Sequence, residues 1–397
     1  MQPAPQAKVV ICGGGIIGAA TAYYLSEMGL APTVIERESV ACAASGKAGG
    51  FLALDWNDSS PVGPLSRKSF ALHAQLAERF GADNIGYRRT HTLQVRLLIS
   101  VPVKGSETAA QAGNNQHKGS KPQAPAWLDG HISAVGELGD TDSTAQVHPF
   151  KLTNALMEAA CGSTDQLQHG TVTGLVLGPN REVTGVEVDG MRIVPATCVV
   201  LALGPWSNDS ASWGGADSSR PLLPTIGATK YHSISLRPAV PVTNHMIFTD
   251  YKFRSGRSVD PELYPRPDGT VYCCGEPQEI QPQDLPLPGS VPVSAELADN
   301  IWGIAGSLAS CLAKGEATLE ATQACHLPQS PDGVPLIGKV PGLQGVYVAT
   351  GHSCWGILNG PATGLAMAEL IVNGRATSVD LSAFDPRRFS AKASAVR

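Results

Sequence analysis

The chain has no excess of basic charge: 29 Lys and Arg stand against 34 Asp and Glu, a formal net charge of −5 over 397 residues. That balance supplies no field to draw in nucleic acid or an acidic membrane surface, so neither is expected as a partner. No apolar run approaches the ~18–20 residues that a membrane span needs. Met1–Ala7 lacks the charged and apolar regions of a secretory signal. Ala395-Val396-Arg397 is neither a peroxisomal nor an endoplasmic-reticulum address, so a cytoplasmic location is expected. Paired cysteines are missing too. The 9 cysteines are odd in number, no C-x-x-C occurs, and only Cys273 and Cys274 adjoin. A disulfide frame is thereby excluded, and reduced thiols fit. The 10 histidines show no H-E-x-x-H or related spacing, so no metal is expected. No repeat at solenoid period is visible. What remains is 43% hydrophobic and 16% charged. This is the composition of a folded globular protein with room for two domains, or for one domain with another inserted.

The N-terminus reads as a β-α-β unit. Ala7–Cys12 is an unbroken apolar run, as expected of a strand buried on both faces. Ile17, Ala20, Thr21, Tyr24, Leu25 and Met28 then recur on one face of a helix, which Gly29 ends. Pro32–Glu36 is a second strand. Between first strand and helix stands Gly13-x-Gly15-x-x-Gly18. The first glycine permits the turn, the second lets backbone approach a pyrophosphate, and the third lets helix and strand pack closely. Glu36, 21 residues after Gly15, is placed to accept hydrogen bonds from ribose hydroxyls and would repel a 2′-phosphate. Arg37 is positioned to cover an adenine. The pattern implies a dinucleotide without a 2′-phosphate; the motif alone does not choose FAD over NAD.

Further on, residues 62–81 read as a helix closed by Gly81, and 87–98 as a strand. Residues 102–126 carry almost no large apolar side chains and read as a mobile surface insertion. A short helix is expected over 150–160. Thr171–Leu177, Glu182–Val188 and Met191–Val194 read as strands separated by turns, and Val199–Leu203 as a buried strand. Residues 221–280 are strand-like and proline-punctuated, an antiparallel sheet. Ser294–Leu312 reads as an amphipathic helix capped by Ser294. The tail holds a strand at Val346–Thr350 and a helix from about Pro361 to Val372.

Several of these segments together resemble the D-amino-acid oxidase (DAO) superfamily of FAD-dependent oxidoreductases, on its glycine- and sarcosine-oxidase side. Ala44-Ser45-Gly46-Lys47-Ala48-Gly49-Gly50-Phe51 resembles the stretch passing under the flavin. Ala145–Pro149 resembles the segment before a helix, and Thr171-Val172-Thr173 the strand holding adenine. Val200–Trp206 resembles the strand and turn that meet the cofactor again, through Ala202, Gly204 and Trp206. Tyr264–Tyr272 resembles a hairpin of the substrate-side sheet. Ser330–Gly338, with Pro335, and Ala349–Gly356 resemble the C-terminal flavin-contacting segments. There Gly351, His352, Ser353, Trp355, Gly356 and Ile357 are expected at the flavin. The fold implied is α/β plus α+β, a discontinuous Rossmann-type FAD-binding domain with an inserted, mostly antiparallel substrate sheet. Residues 1–86, 145–220 and 325–397 would form the FAD-binding domain, and 87–144 and 221–324 the substrate domain.

The resemblance implies oxidation of a C–N bond in a small amine or amino acid, with a hydride equivalent passing to FAD and then to dioxygen or another acceptor. A dehydrogenase feeding a quinone or carrier is a second reading, and a non-catalytic assembly or trafficking factor a third. Candidate cofactor contacts are Gly13, Gly15, Ile16, Ile17, Gly18, Glu36, Arg37, Ser45, Gly46, Lys47, Ala48, Gly49, Gly50, Val172 and the later residues just named. Lys47 is either a cation beside the ring or a side chain turned to pyrophosphate or solvent. Cys325, seven residues before Asp332, resembles the position of a flavin thioether in sarcosine-oxidase-like enzymes; the alternative is a buried thiol. His352 and Trp355 are expected to line the active site, with turn capping the alternative for His352. Tyr231-His232-Ser233 and Tyr272 are expected to roof the ring, or else to be core. Arg266 and Arg254 are the candidates for a carboxylate clamp, though Arg266 adjoins a turn. Val271–Cys274 departs from relatives that carry an oxygen-activating lysine there. The oligomeric state is not legible.

Overall fold

The run Val9–Cys12 is apolar throughout because it lies mid-sheet. It pairs in parallel with Thr33–Glu36 on one side and Cys198–Leu201 on the other. In the computed structural model, which describes residues 7–97, 123–162, 165–214, 221–252 and 258–390, these strands belong to a six-stranded sheet. Its order is Leu336–Lys339, Val346–Thr350, Cys198–Leu201, Val9–Cys12, Thr33–Glu36, Leu167–His169. Only the edge strand Leu336–Lys339 runs antiparallel. The chain leaves Val9–Cys12 toward one side and later returns on the other. That order opens a crevice at the carboxyl ends of the strands, where ligands of such sheets bind.

One face of this sheet is covered by the helices Ile16–Glu27, Gly63–Phe80, Pro149–Cys161 and Gly356–Asn373, whose apolar side chains form one core. The C-terminal helix seats directly on the first. A Cβ at Gly364 would lie 2.5 Å from Ala20 backbone, and one at Gly360 would lie 2.6 Å from Ile16. The tail thereby completes the N-terminal unit. A three-stranded antiparallel sheet, Val172–Leu177, Val183–Val188 and Arg192–Pro195, covers the other face.

An eight-stranded sheet stands above the crevice. Its order is Ala317–Gln329, Gly227–Pro238, Val271–Ile280, Glu262–Pro265, His245–Lys252, His91–Leu97, Ile132–Gly139, with Ser258–Val259 beside His245–Lys252. All neighbours are antiparallel except His91–Leu97 with His245–Lys252. Leu93, Ile234, Ile247, Leu263 and Cys273 point to the helix Ala295–Leu308. Tyr264, Tyr272 and Cys274 point the other way, with Phe51 and Phe248. The fold is the expected class, a discontinuous Rossmann-type α/β unit with a mostly antiparallel sheet inserted.

Several elements differ in extent from the sequence reading. The tail helix begins at Gly356, with Pro361 inside it. Pro361 has no N–H for the Ile357 carbonyl. His73 Nε2, from the helix Gly63–Phe80, supplies the bond instead, 3.0 Å from Ile357 O and 3.1 Å from Leu358 O. The helix after Ser294 ends at Leu308 and a 3-10 turn follows. Ser294 caps it as expected, accepting from Leu297 N at 3.3 Å. The run 87–98 divides into Arg88–Arg89 and His91–Leu97, which serve different sheets. The strand Ala317–Gln329 runs unbroken through position 325 in the upper sheet. The insertion expected at 102–126, except its last four residues, and Arg254 lie outside the described residues.

Candidate active site

A cleft of about 1220 Å³ occupies the crevice. Its floor starts at the glycine turn. Gly13 has φ +112° and approaches the neighbouring strand so closely that a Cβ would lie 2.4 Å from Ala202 O. The helix that follows has no acidic residue in its first turn and no side-chain cap. Its positive end therefore faces the cleft through Gly15, Ile16 and Ile17, a site suited to an anionic phosphate. Ser45 Oγ accepts from Ile16 N at 2.9 Å and ties the 44–50 stretch to this helix end. Glu36 Oε2 accepts from Gly14 N at 2.6 Å and Oε1 from Glu38 N at 2.9 Å, which fixes the carboxylate in the wall.

Of the expected cofactor contacts, Gly13, Gly15, Ile16, Ile17, Glu36, Arg37, Ser45, Ala48, Val172, Ala202, Gly204, Trp206, His352, Ser353, Gly356 and Ile357 line the cleft. Gly18 is instead a packing glycine, since a Cβ there would stand 1.9 Å from Gly13 O. Gly46, Lys47, Gly49, Gly50, Gly351 and Trp355 lie behind the lining. Pro335 is outside it, because the 330–335 turn faces the C-terminal segment. There Arg388 grips Asp332 (Nε–Oδ2 2.8 Å) and holds its carboxyl down at about 2. Sequence reading missed Asp209, Cys42, Pro288 and Leu327 in the wall. Small residues between Glu36 and Ser45 were the available signal for Cys42; nothing in the chain marks Pro288.

The catalytic candidates separate. His352 lines the cleft but is buried, with Nε2 3.0 Å from Thr363 Oγ1. Burial pushes its pKa down to about 3, so the ring is neutral. Lys47 is half-buried, and its Nζ donates to Ala324 O at 3.2 Å, at the edge of the upper sheet. Tyr272 is buried and donates to Lys47 O at 3.0 Å. Trp355 meets Trp56 edge-on at 6.3 Å. His232 does not roof the cleft. It shares the strand face of Ile234 and Leu236, and its Nε2 accepts from Ser294 N at 3.2 Å. Arg266 is largely buried rather than solvated. Its guanidinium lies 4.8 Å over Tyr272, Nη2 donates to Ala48 O at 3.1 Å, and Nε has no partner among the described residues. Cys325 is 5% exposed and lies behind the lining rather than in it. Burial raises its thiol to about 11, with Lys47 opposing.

A dinucleotide-shaped groove with a dipole at one end and an aromatic sheet over the other is the geometry an FAD protein needs. A family model described as FAD dependent oxidoreductase (DAO) matches residues 8–370. The chain belongs to this family. Its relatives include an oxidoreductase of Schizosaccharomyces pombe, 29% identical over 407 residues, covering 96% of this chain and 97% of that protein. The glycine oxidase of Pseudomonas putida is 27% identical, covering 96% of this chain and 98% of its own. Glycine oxidase from Geobacillus kaustophilus shares the fold with a TM-score of 0.73 at 22% identity, across 96% of this chain and 99% of that one. The DAO-family chain is thus an FAD-dependent oxidoreductase related to glycine oxidases. No helix among its described residues is long and apolar enough to cross a membrane.

Proposed function

We propose that this DAO-family protein oxidises a C–N bond of a small amine or amino acid and returns the electrons to dioxygen. The observation that carries the reading is the continuity of the cleft. It runs from Glu36 and Val172, past the helix end at Gly15, to Cys354 and Ile357 beneath the aromatic sheet. In this reading Gly13, Gly15, Ile16 and Ile17 hold the pyrophosphate, Glu36 the ribose, and Arg37 and Val172 flank the adenine. Ser45, Ala48, Ala202, Gly204 and Trp206 bed the isoalloxazine side, and Ser353, Gly356 and Ile357 offer backbone N–H groups to its polar edge. Bound FAD supplies the redox chemistry at N5; the protein supplies position and field. Residues 1–86, 145–220 and the chain from 330 on form the cofactor half. Residues 87–144 and 221–329 form the cover, because the strand Ala317–Gln329 stays in the upper sheet. Neutral His352 orients the turn and moves no proton, so the pH–rate profile carries no limb from it.

Hydrogen peroxide release measured over a panel of amines and amino acids tests the reading. Peroxide stoichiometric with substrate is the expected result. Flavin reduction without peroxide transfers the role to a quinone- or carrier-linked dehydrogenase, and no reduction by any of them favours an assembly factor. With Cys325 recessed, the flavin is held without a covalent bond. Acid precipitation is expected to leave the yellow colour in the supernatant. A yellow pellet that turns white in Cys325→Ser contradicts this.

A further inference from the structure

On the cleft-facing side of the eight-stranded sheet, the carboxylate of Glu262 stands among the aromatic rings of Phe248, Tyr264 and Tyr272 and the thiol of Cys274. On the strand Glu262–Pro265, Glu262 shares its face with Tyr264. Across the sheet, Glu262 is paired with Phe248 on one side and Cys274 on the other, and Cys274 with Ser233. Both hydrogen bonds to the acid fall on one oxygen. Tyr264 Oη donates to Oε2, and Cys274 Sγ donates to Oε2 at 3.5 Å. Among the described residues Oε1 receives none, and no Lys or Arg forms an ion pair with Glu262.

Around this acid the rings of Phe51, Trp56, Phe248 and Tyr264 form one contact network. Phe51 lies 4.9 Å from Trp56 and 5.0 Å from Phe248, and Trp56 lies 5.0 Å from Phe248. Phe248 lies 5.7 Å from Tyr264. Phe51, Trp56, Phe248 and Glu262 itself are all only partly buried. This aromatic cluster approaches the cleft. The Tyr264 ring lies against Gly49, where a Cβ would come within 2.3 Å of it. The charge of Glu262 is also felt at Cys354 in the cleft wall.

We infer that Glu262 is the receptor for the substrate's cationic nitrogen, and that its aromatic surroundings select small amines lacking a free carboxylate over amino acids. This rests on the reading of the site as one for C–N oxidation. A partly buried carboxylate among aromatic rings, with no counter-ion, is favoured by an ammonium ion beside Oε1. Aromatic faces add cation–π attraction for the same charge. A substrate carboxylate meets negative charge there, since Asp260 adds to that of Glu262. Arg266, two positions from Tyr264, lies over Tyr272 with Nη2 on Ala48 O, and its unpartnered Nε is buried away from solvent. Burial and then Asp260 raise the Glu262 pKa, its Tyr264 and Cys274 bonds only partly opposing, so the net shift is upward; a bound cation would favour the ionised form.

The test uses the FAD-loaded protein as purified, titrated anaerobically in a calorimeter with two matched pairs: methylamine and glycine, butylamine and norvaline. Each amino acid is its partner amine with an α-carboxylate added. Each amine is expected to bind at least ~10-fold more tightly than its partner. Glu262→Gln is expected to lose ~10–100-fold in amine affinity while keeping its flavin, an effect of the size of one charge-assisted bond. Glu262→Asp should recover part of the loss. Tighter binding of the amino acids to the wild type, no amine binding, or unchanged amine affinity in Glu262→Gln overturns the inference. The wild-type preference needs no variant, so a Glu262→Gln protein that fails to fold leaves a deciding result. Flavin absorbance in the same samples separates the two proposals. Glu262-dependent binding without bleaching keeps the receptor and removes C–N oxidation. Bleaching with unchanged affinity in Glu262→Gln keeps the oxidation and removes the receptor.

Discussion

Gly18→Ala is expected to yield a protein that purifies without yellow colour. The new methyl group would stand 1.9 Å from Gly13 O and 3.4 Å from Ile11 Cγ2. The first of these neighbours is backbone in the turn that bounds the phosphate site, and backbone cannot swing aside as a flexible side chain does. The helix must therefore move off the strand, and its N–H groups move with it. Overpacking of this kind costs about 1–3 kcal/mol, and each ~1.4 kcal/mol lost from binding is tenfold in FAD affinity. Gly29→Ala is the control. Gly29 ends the same helix at φ +82° with nothing within 4 Å of a Cβ. It incurs only the left-handed backbone penalty of about 1–2 kcal/mol and should keep its flavin. Flavin absorbance per protein, read on both variants, checks the pair; equal flavin content in the two would mean that Gly18 does not hold this approach.

Mild acid is expected to destabilise the folded chain strongly, well above the range where carboxylates titrate. His73, His326 and His352 are buried, and burial lowers their pKa values to about 4, 4 and 3. In the unfolded chain the same rings titrate near their ordinary value of about 6.5. Between these limits these three rings take up three more protons in the unfolded state than in the folded one, so their contribution to stability rises with pH and is lost as pH falls below about 6.5. Each such proton is worth about 1.4 kcal/mol per pH unit once fully bound. The three together remove about 3 kcal/mol between pH 6.5 and 5.5, and about 4 kcal/mol in the next unit. For a chain of this size the first step corresponds to a fall in Tm of about 4 °C. His73→Gln keeps a donor for Ile357 O and does not titrate, so it should remove about a third of the contribution of these three rings. Calorimetry at the two pH values checks this; a Tm that does not fall means these imidazoles are not neutral in the fold.

The N-terminal half of the site was legible because its chemistry is local. Gly13, Gly15, Gly18 and Glu36 sit within one β-α-β unit, where spacing along the chain fixes spacing in the fold. The small residues from Ala44 to Gly50 announced a backbone that something approaches closely, and the rings of Tyr264 and Tyr272 do so. Glu262 was not legible. Its neighbours Phe248 and Cys274 come from strand pairing, and one sequence does not reveal which strands adjoin. His232 was misplaced for a related reason: strand side chains alternate, so a single register step moves a residue from the cleft to the helix side. Arg266 was read as a candidate carboxylate clamp adjoining a turn; the sheet folds that turn over Ala48 and Tyr272. Pro335 was placed by the resemblance of its segment to a flavin-contacting one. In space its turn belongs to Arg388 and Asp332.

The central claim is that the flavin cleft and the aromatic sheet above it together oxidise an amine. Anaerobic mixing of the purified protein with the amine and amino-acid panel, followed by its visible flavin absorbance, tests that most directly. The account predicts bleaching of the flavin band by at least one small amine, with colour restored when air is admitted. A flavin that stays fully oxidised against every amine and amino acid would contradict it.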